Sequence, residues 1–267
     1  MQLTGPDAWG VPPDRADAID LLRCAYDWGV RLFDSAWYYG PGVTHDLLVE
    51  ALSPFPDDII IVTKAGNSRG PGRSWIPALT PNDLRAACER DLSWLKVEVL
   101  PLALLRWQPR QGDESAFLDA LATMLELRDA GKIIGVGLSN VTLRHLTTAL
   151  ALAPIAAVSN SFSLIARRET RVLDVCNREA IAFLPYYPLL GGDVLRRPAL
   201  QAMARRHGIT PAQLALIWVK SRGPSVIPIP GTQDKRHLRD NIEACRIEVT
   251  RDELSLLSDL VEPGLAS

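Results

Sequence analysis

The sequence predicts an α/β fold on a parallel sheet, a (β/α)8 barrel forming one domain over residues 1–267. Three observations predict it. Strand-like and helix-like stretches alternate along the chain with no break in composition, which is the pattern of repeated strand–helix units. The length of 267 residues is close to the roughly 250 typical of such a barrel. Finally, Asp34, Tyr39 and Lys64 stand at or just past the C-terminal ends of two predicted strands, Arg31–Asp34 and Ile59–Thr63. Parallel strands would bring all three to one rim, the face where barrels of this kind keep their chemistry.

The elements follow in order. Met1–Leu3 reads as the stub of a first strand, short or truncated, and Thr4–Pro13 as a Gly- and Pro-rich loop. Asp14 is placed to cap a helix that runs to Trp28 and stops at Gly29. After the strand Arg31–Asp34 comes a loop through Gly40-Pro41-Gly42, a helix from about His45 to Leu52, and the strand Ile59–Thr63. Ala65–Leu79 reads as a long loop carrying Arg69, Arg73 and Trp75. Thr80-Pro81-Asn82-Asp83 starts a helix, with a cap hydroxyl, an early proline and an acid near the N-terminus. Its inward stripe Leu84, Ala87, Cys88, Asp91, Leu95 is apolar except for Asp91. Val99–Leu105, interrupted by Pro101, is the next strand. Glu114–Ala130 is a helix, Ile133–Leu138 a strand, and Leu143–Leu152 a helix. Ile155–Ser159, Glu169–Glu179 and Ala182–Tyr186 continue the alternation. A helix from Thr210-Pro211 through Arg222, a strand Ser225–Ile229, a helix Lys235–Ala244 and a capped helix from Thr250 to Val261 complete it.

The bulk properties exclude several classes. With 29 basic and 31 acidic residues the formal net charge is −2, so nothing draws the chain generally to nucleic acid or anionic membrane. No apolar run reaches the roughly 18 residues of a membrane helix, and no signal peptide opens the sequence. The four cysteines, Cys24, Cys88, Cys176 and Cys245, are widely spaced, as reduced thiols of a cytoplasmic protein would be. No His pair has metal-ligand spacing at strand ends, so a metal-dependent barrel hydrolase is not expected and no metal ligand is assigned. The absence of G-x-G-x-x-G leaves no sign of a Rossmann cofactor domain.

Several motifs, each weak alone, occur together in one order: Asp34-Ser35-Ala36-Trp37-Tyr38-Tyr39-Gly40, Val62-Thr63-Lys64, Gly135-Val136-Gly137-Leu138-Ser139-Asn140, Tyr186-Tyr187-Pro188-Leu189, Ile227-Pro228-Ile229-Pro230-Gly231-Thr232, His237-Leu238 and Asp240-Asn241. On these the chain resembles an aldo-keto reductase over nearly its whole length. The resemblance implies an NADPH-dependent oxidoreductase, with NADH the second choice of cofactor, that reduces an aldehyde or ketone to an alcohol. A free tyrosine, with a pKa of about 10, is a poor acid at neutral pH. A neighbouring ammonium stabilises its phenolate, and a carboxylate keeps that ammonium charged and placed. The implied roles are Tyr39 as proton donor, Lys64 as its tuner and Asp34 as the anchor of Lys64. Tyr38 is the rival tyrosine, and the family spacing selects Tyr39. The alternative for Asp34 and Lys64 is a plain ion pair at the rim.

One position departs from the family. The usual fourth member is a histidine after the fourth strand; this chain has Leu104-Leu105-Arg106-Trp107, and its histidines are His45, His145, His207 and His237. Arg106 cannot shuttle a proton but can polarise a carbonyl or hold an anionic oxygen; the bland reading is a rim salt bridge. A bacterial branch that includes pyridoxal reductases is similar in also having arginine here and in the segments Ser74-Trp75-Ile76-Pro77 and Tyr38-Tyr39-Gly40-Pro41. That similarity implies pyridoxal or another aromatic aldehyde as substrate.

The resemblance also implies cofactor contacts. Ser139 and Asn140 match the pair that bonds the nicotinamide carboxamide. Asn160 stands where glutamine is common, and Tyr186 matches the aromatic that stacks on the nicotinamide ring. Pro188 and Leu189 match the pyrophosphate loop. Gly231, Thr232 and Gln233 lead to a helix N-terminus suited to phosphate. His237 lies near the adenosine 2′-phosphate position, and Asp240 and Asn241 match adenine contacts. Lys235, Arg236 and Arg239 favour NADPH, while Asp234 opposes it; a solvated helix face is the plainer reading of that charge run. The implied partner is a small carbonyl substrate, with no nucleic acid and no membrane, and the oligomeric state is open. Arg106 and the short beginning favour one alternative of a different class, a cofactor-binding regulatory or interaction protein with little turnover.

Overall fold

The structure is a computed structural model that describes residues 2–108 and 114–261. Its backbone groups into two compact units, one reaching to Val158 and including Gly231–Gln233, the other covering Ser159–Pro230 and the chain from Asp234 onward.

The first unit is built on parallel strands in the order β1 (Leu32–Asp34), β2 (Ile60–Ala65), β5 (Leu100–Arg106), β6 (Ile133–Ser139), β7 (Ala157–Ser159). The register pairs Asp34 with Val62, Lys64 with Leu104 and Arg106 with Ser139. Asp34, Lys64, Arg106 and Ser139 therefore all come from the C-terminal ends of adjacent strands, the arrangement a parallel sheet imposes. Helix α1 (Arg15–Asp27) precedes β1, and α2 (Val43–Leu52), α3 (Pro81–Leu95), α4 (Glu114–Asp129) and α5 (Leu143–Leu150) separate the strands that follow. Asp14 caps α1 by accepting from the Asp17 N–H at 2.9 Å, and Gly29 follows it in the left-handed region at φ 100°. The Thr80–Asp83 capping box opens α3.

Pro101 does not end β5. Leu102 is the first residue of that strand paired with β2, so the missing N–H of Pro101 falls before the strand is flanked on both sides. Two readings change. Gln2 and Leu3 lie in a turn rather than a strand stub, and Met1 lies outside the described residues; the Gln233 side chain donates to the Gln2 carbonyl and to that of Thr4. The stretch Ala65–Leu79 is not all loop, for Asn67–Arg69 (β3) and Trp75–Pro77 (β4) pair as an antiparallel hairpin.

In the second unit β8 is only Ala182–Phe183, bridged in parallel from Phe183 to Val226, and a further parallel bridge joins Ser161 to Tyr186. The strand expected at Ser225–Ile229 reduces to that single bridge, because Pro224, Pro228 and Pro230 bring no N–H to a ladder. Its helices are α6 (Thr170–Arg178), α7 (Pro198–Arg206), α8 (Pro211–Lys220), α9 (Lys235–Glu243) and α10 (Arg251–Leu260), with a 3-10 stretch at Leu190–Arg196. The capping box of Thr250 and Glu253 opens α10. No described helix is long and apolar enough to cross a membrane.

Candidate active site

Lys64 is the penultimate residue of β2, its side chain almost wholly buried. Its Nζ donates to Asp34 Oδ1 at 2.6 Å and to the Ser35 carbonyl at 3.0 Å. A buried ammonium is tolerated only with such partners. Burial alone would lower the lysine pKa, but the charges of Asp34 and Tyr39 and the Asp34 hydrogen bond outweigh it, so the value lies above the ordinary 10.5 and the group stays an ammonium. The ammonium lies 5.2 Å from the centre of the Tyr39 ring. Arg106 opposes the Lys64 charge from the end of β5.

The two tyrosines differ in access. Tyr38 is 0% exposed, whereas Tyr39 retains 7%. The rings meet edge to face at 5.2 Å. The buried Tyr38 hydroxyl has no hydrogen-bond partner among the described residues, and burial first, then the Tyr39 charge, pushes its pKa well above 10.0. Arg106 lies close enough to pull the other way.

Arg106 is partly buried. With the Asn67 amide oriented to satisfy both its ends, its oxygen accepts from Arg106 Nε at 2.7 Å and its nitrogen donates to the Gly66 carbonyl at 3.1 Å. The β3–β4 hairpin supplies Trp75, whose ring lies 5.9 Å from the Arg106 guanidinium, 4.0 Å from that of Arg69 and 5.4 Å from the Tyr38 ring. Trp75 remains 42% exposed, so an apolar ring face stands beside the charged cluster. The site thus holds a buried lysine–carboxylate pair, an adjacent phenol, a fixed cation and an aromatic wall.

Ser139 ends β6, and its hydroxyl is fully buried with no partner among the described residues. Such a group is normally satisfied by something, and a carboxamide is a fitting partner. Asn140 follows in the left-handed region at φ 65°, its amide donating to the Trp107 carbonyl at 3.1 Å. Gly231–Gln233 lie against Gln2 and Thr4. All of these belong to the first unit.

The remaining sequence-predicted residues lie in the second unit. Asn160 is buried, and its carbonyl accepts from the Tyr186 N–H at 3.0 Å. Tyr186 is partly exposed and Pro188 buried, with Leu189 leading into the 3-10 stretch. His237 is exposed on α9, while Asp240 and Asn241 are half-buried. The N-terminus of α9 already holds an anion of its own. Asp234 accepts from the N–H groups of Arg236 and His237, at 2.7 and 3.3 Å, and pairs with the Arg236 guanidinium at 2.9 Å. The Arg236 side-chain bond is the main cause that holds its carboxyl down at about 2. The amides expected to meet phosphate are therefore shared with Asp234.

Two features were not singled out as part of the site from sequence. The hairpin escapes a periodicity reading because its strands have three residues each. His45 and Asp91 form a buried contact beneath the Asp34–Tyr39 loop, with His45 Nε2 3.7 Å from Asp91 Oδ1. The available signal was Asp91 itself, a charge on an otherwise apolar helix stripe.

Among the described residues no group of three or more side chains is placed to hold a metal ion. The family model "Aldo/keto reductase family" matches residues 1–262. Pyridoxine 4-dehydrogenase of Escherichia coli (strain K12) is 36% identical over 263 residues, covering 97% of this chain and 92% of that protein. An uncharacterised oxidoreductase of Schizosaccharomyces pombe is 33% identical, covering 97% and 84%. Among solved structures, a thermostable aldo-keto reductase in complex with the inhibitor epalrestat superposes with a TM-score of 0.83 at 26% identity, covering 98% of this chain and 93% of that one. An aldo-keto reductase from Klebsiella pneumoniae in complex with NADPH gives 0.80 at 25% identity, covering 100% and 89%. The α/β fold read from the sequence, a (β/α)8 barrel, is the fold these matches share, and the chain belongs to the aldo/keto reductase family.

Proposed function

We propose that the protein is an NADPH-dependent carbonyl reductase whose proton donor is Tyr39, with pyridoxal or a related aromatic aldehyde as substrate. The observation that carries the proposal is the buried Lys64–Asp34 contact at 2.6 Å beside the Tyr39 ring. When bound, a reduced nicotinamide supplies hydride to the carbonyl carbon. Tyr39 gives its phenol proton to the carbonyl oxygen, and the Lys64 ammonium steadies the phenolate left behind. Asp34 keeps Lys64 charged and in place. Tyr38 has no accessible surface with which to meet a substrate, which favours Tyr39 on physical grounds as well as on spacing.

The cofactor assignment draws on the Klebsiella relative crystallised with NADPH and on the buried Ser139 hydroxyl. Ser139, Asn140 and Asn160 would bond the carboxamide, Tyr186 would stack on the nicotinamide, and Pro188, Leu189 and Gly231–Gln233 would follow the pyrophosphate. His237, Asp240 and Asn241 would meet the adenosine. Lys235, Arg236 and Arg239 with His237 would attract the 2′-phosphate, and Asp234, paired with Arg236, opposes them.

The substrate assignment draws on the E. coli pyridoxine 4-dehydrogenase relative and on Arg106. Always charged, Arg106 acts by holding an anionic oxygen rather than by exchanging a proton. Pyridoxal carries a phenolate-type oxygen beside its aldehyde, and Trp75 offers an aromatic face near that guanidinium. The test compares NADPH oxidation with pyridoxal and with a neutral aromatic aldehyde of similar size. In Arg106→Ala, kcat/KM for pyridoxal falls about tenfold or more, as loss of a charge-assisted bond implies, while the neutral aldehyde changes less. Equal values for parent and variant on both substrates reduce Arg106 to a rim residue and overturn the substrate assignment.

A further inference from the structure

The Asp34–Tyr39 loop is pinned from below by the first turn of α2. Thr44 Oγ1 donates to the Ala36 carbonyl at 3.1 Å, and the Thr44 N–H donates to the Tyr39 carbonyl at 3.4 Å. Ser35 Oγ lies 2.9 Å from Thr44 Oγ1 and 3.1 Å from His45 Nδ1. These contacts fix the hydrogen positions. A carbonyl only accepts, so the Thr44 proton goes to Ala36. Thr44 therefore accepts from Ser35, which uses the Ser35 proton. His45 Nδ1 must then be the donor to Ser35 Oγ. The imidazole carries a proton on Nδ1, and its Nε2, with no hydrogen-bond partner among the described residues, lies 3.7 Å from Asp91 Oδ1 on α3. His45 is 0% exposed and Asp91 2%. Asp91 is also approached by Arg90 Nη2 at 3.5 Å, and the Arg90 guanidinium lies 4.1 Å over the Trp37 ring of the same loop.

We propose that His45, held by its Nδ1 contact to Ser35 Oγ, is a positioning residue for the reductase reaction. Its Nδ1–H holds Ser35, the Ser35 carbonyl accepts from Lys64 Nζ at 3.0 Å, and the ammonium is thereby set between Asp34 and Tyr39. This inference rests on the reading that Tyr39 and Lys64 are catalytic. None of the three residues His45, Ser35 and Thr44 needs to touch the substrate. A displaced lysine lowers the rate of the chemical step and leaves substrate binding alone, since small misplacements from remote changes cost rate.

Two substitutions separate the ends of the imidazole. His45→Asn places an amide N–H near the Nδ1 position and keeps the donor to Ser35. His45→Gln places its amide toward Asp91 and removes that donor. The full-length protein is assayed with NADPH and an aromatic aldehyde, and amide hydrogen exchange is followed at Ser35 and Tyr39, a readout independent of turnover. The expected result is a kcat in His45→Gln lowered by about ten- to a hundredfold with KM nearly unchanged, faster exchange at both amides, and recovery of both in His45→Asn. Parent-like kcat and exchange in His45→Gln overturn the proposal, as does an equal loss in His45→Asn. If His45→Gln does not fold, Ser35→Ala removes the acceptor oxygen alone and is read by the same criteria. Exchange that responds as expected, in a protein whose Tyr39→Phe variant still turns over normally, supports the loop positioning and sinks the catalytic reading beneath it.

Discussion

Lys64 and Tyr38 respond to alkali in the same direction for different reasons. Tyr38 is driven up by burial, and Lys64 is raised by Asp34 and Tyr39 against the pull of its own burial. For both, the unfolded chain gives up its proton at a lower pH than the native protein does. Stability is therefore fully present below about pH 10 and is lost as pH rises through the native values. Urea midpoints at about pH 8 and about pH 11 check this, and the parent falls between them. Tyr38→Phe keeps the ring and removes a hydroxyl that has no partner among the described residues, so it is at least as stable as the parent at the lower pH and loses less at the higher. A larger alkaline loss in Tyr38→Phe contradicts the burial argument. The placement of Asp34, Lys64 and Arg106 at strand ends was legible in the sequence because a charge after an apolar run is visible in a string, whereas the choice of Tyr39 over Tyr38 came from the family spacing. The tautomer of His45 was not legible, since it depends on which oxygens surround it.

Strand ends deliver the site, and close backbone approach holds them there. Gly66 follows β2 at φ 110°, and a Cβ placed on it would stand 2.5 Å from the Arg106 carbonyl oxygen. Gly66→Ala adds left-handed strain to a backbone clash, expected to cost about 1–3 kcal/mol and to displace Arg106 at the end of β5. Chemical denaturation measures the first effect and kcat/KM for pyridoxal the second; parent-like values in both contradict the close approach. Elements with clear end signals were legible, as Asp14, Thr80 and Thr250 show by capping the helices expected of them. Elements defined by pairing were not. The β3–β4 hairpin has only three residues on each side, and the first-strand stub gave way to a turn tied to Gln233, a contact across 231 residues of sequence. Helix α7 and the 3-10 stretch before it went unassigned, where Gly191, Gly192, Pro188 and Pro198 read as loop punctuation.

Among the described residues the four cysteines form no disulfide. Burial pushes the Cys88 thiol up to about 11 and the Cys176 thiol to about 12, so neither supplies thiolate near neutral pH. Cys245 is exposed and Cys24 partly so. An aromatic disulfide reagent is expected to label Cys245 fastest and Cys24 more slowly in the native protein, and all four thiols after denaturation. Rapid native labelling of Cys88 or Cys176 contradicts the packing around α3 or α6. At this scale the fold class was legible because strand–helix alternation extends over the full length. The partition of the backbone into two compact units was not, since no shift in composition marks the boundary near Val158.

The most direct measurement is the turnover of Tyr39→Phe against its affinity for NADPH. The substitution removes one hydroxyl and keeps the ring that packs on Tyr38, so the NADPH dissociation constant from fluorescence titration stays at the parent value. Without its proton donor, kcat for pyridoxal falls by about a hundredfold or more, the range of an acid–base group. Turnover equal to the parent, with NADPH bound equally well, would show that the proton comes from elsewhere and that the Asp34–Lys64 pair is a rim ion pair.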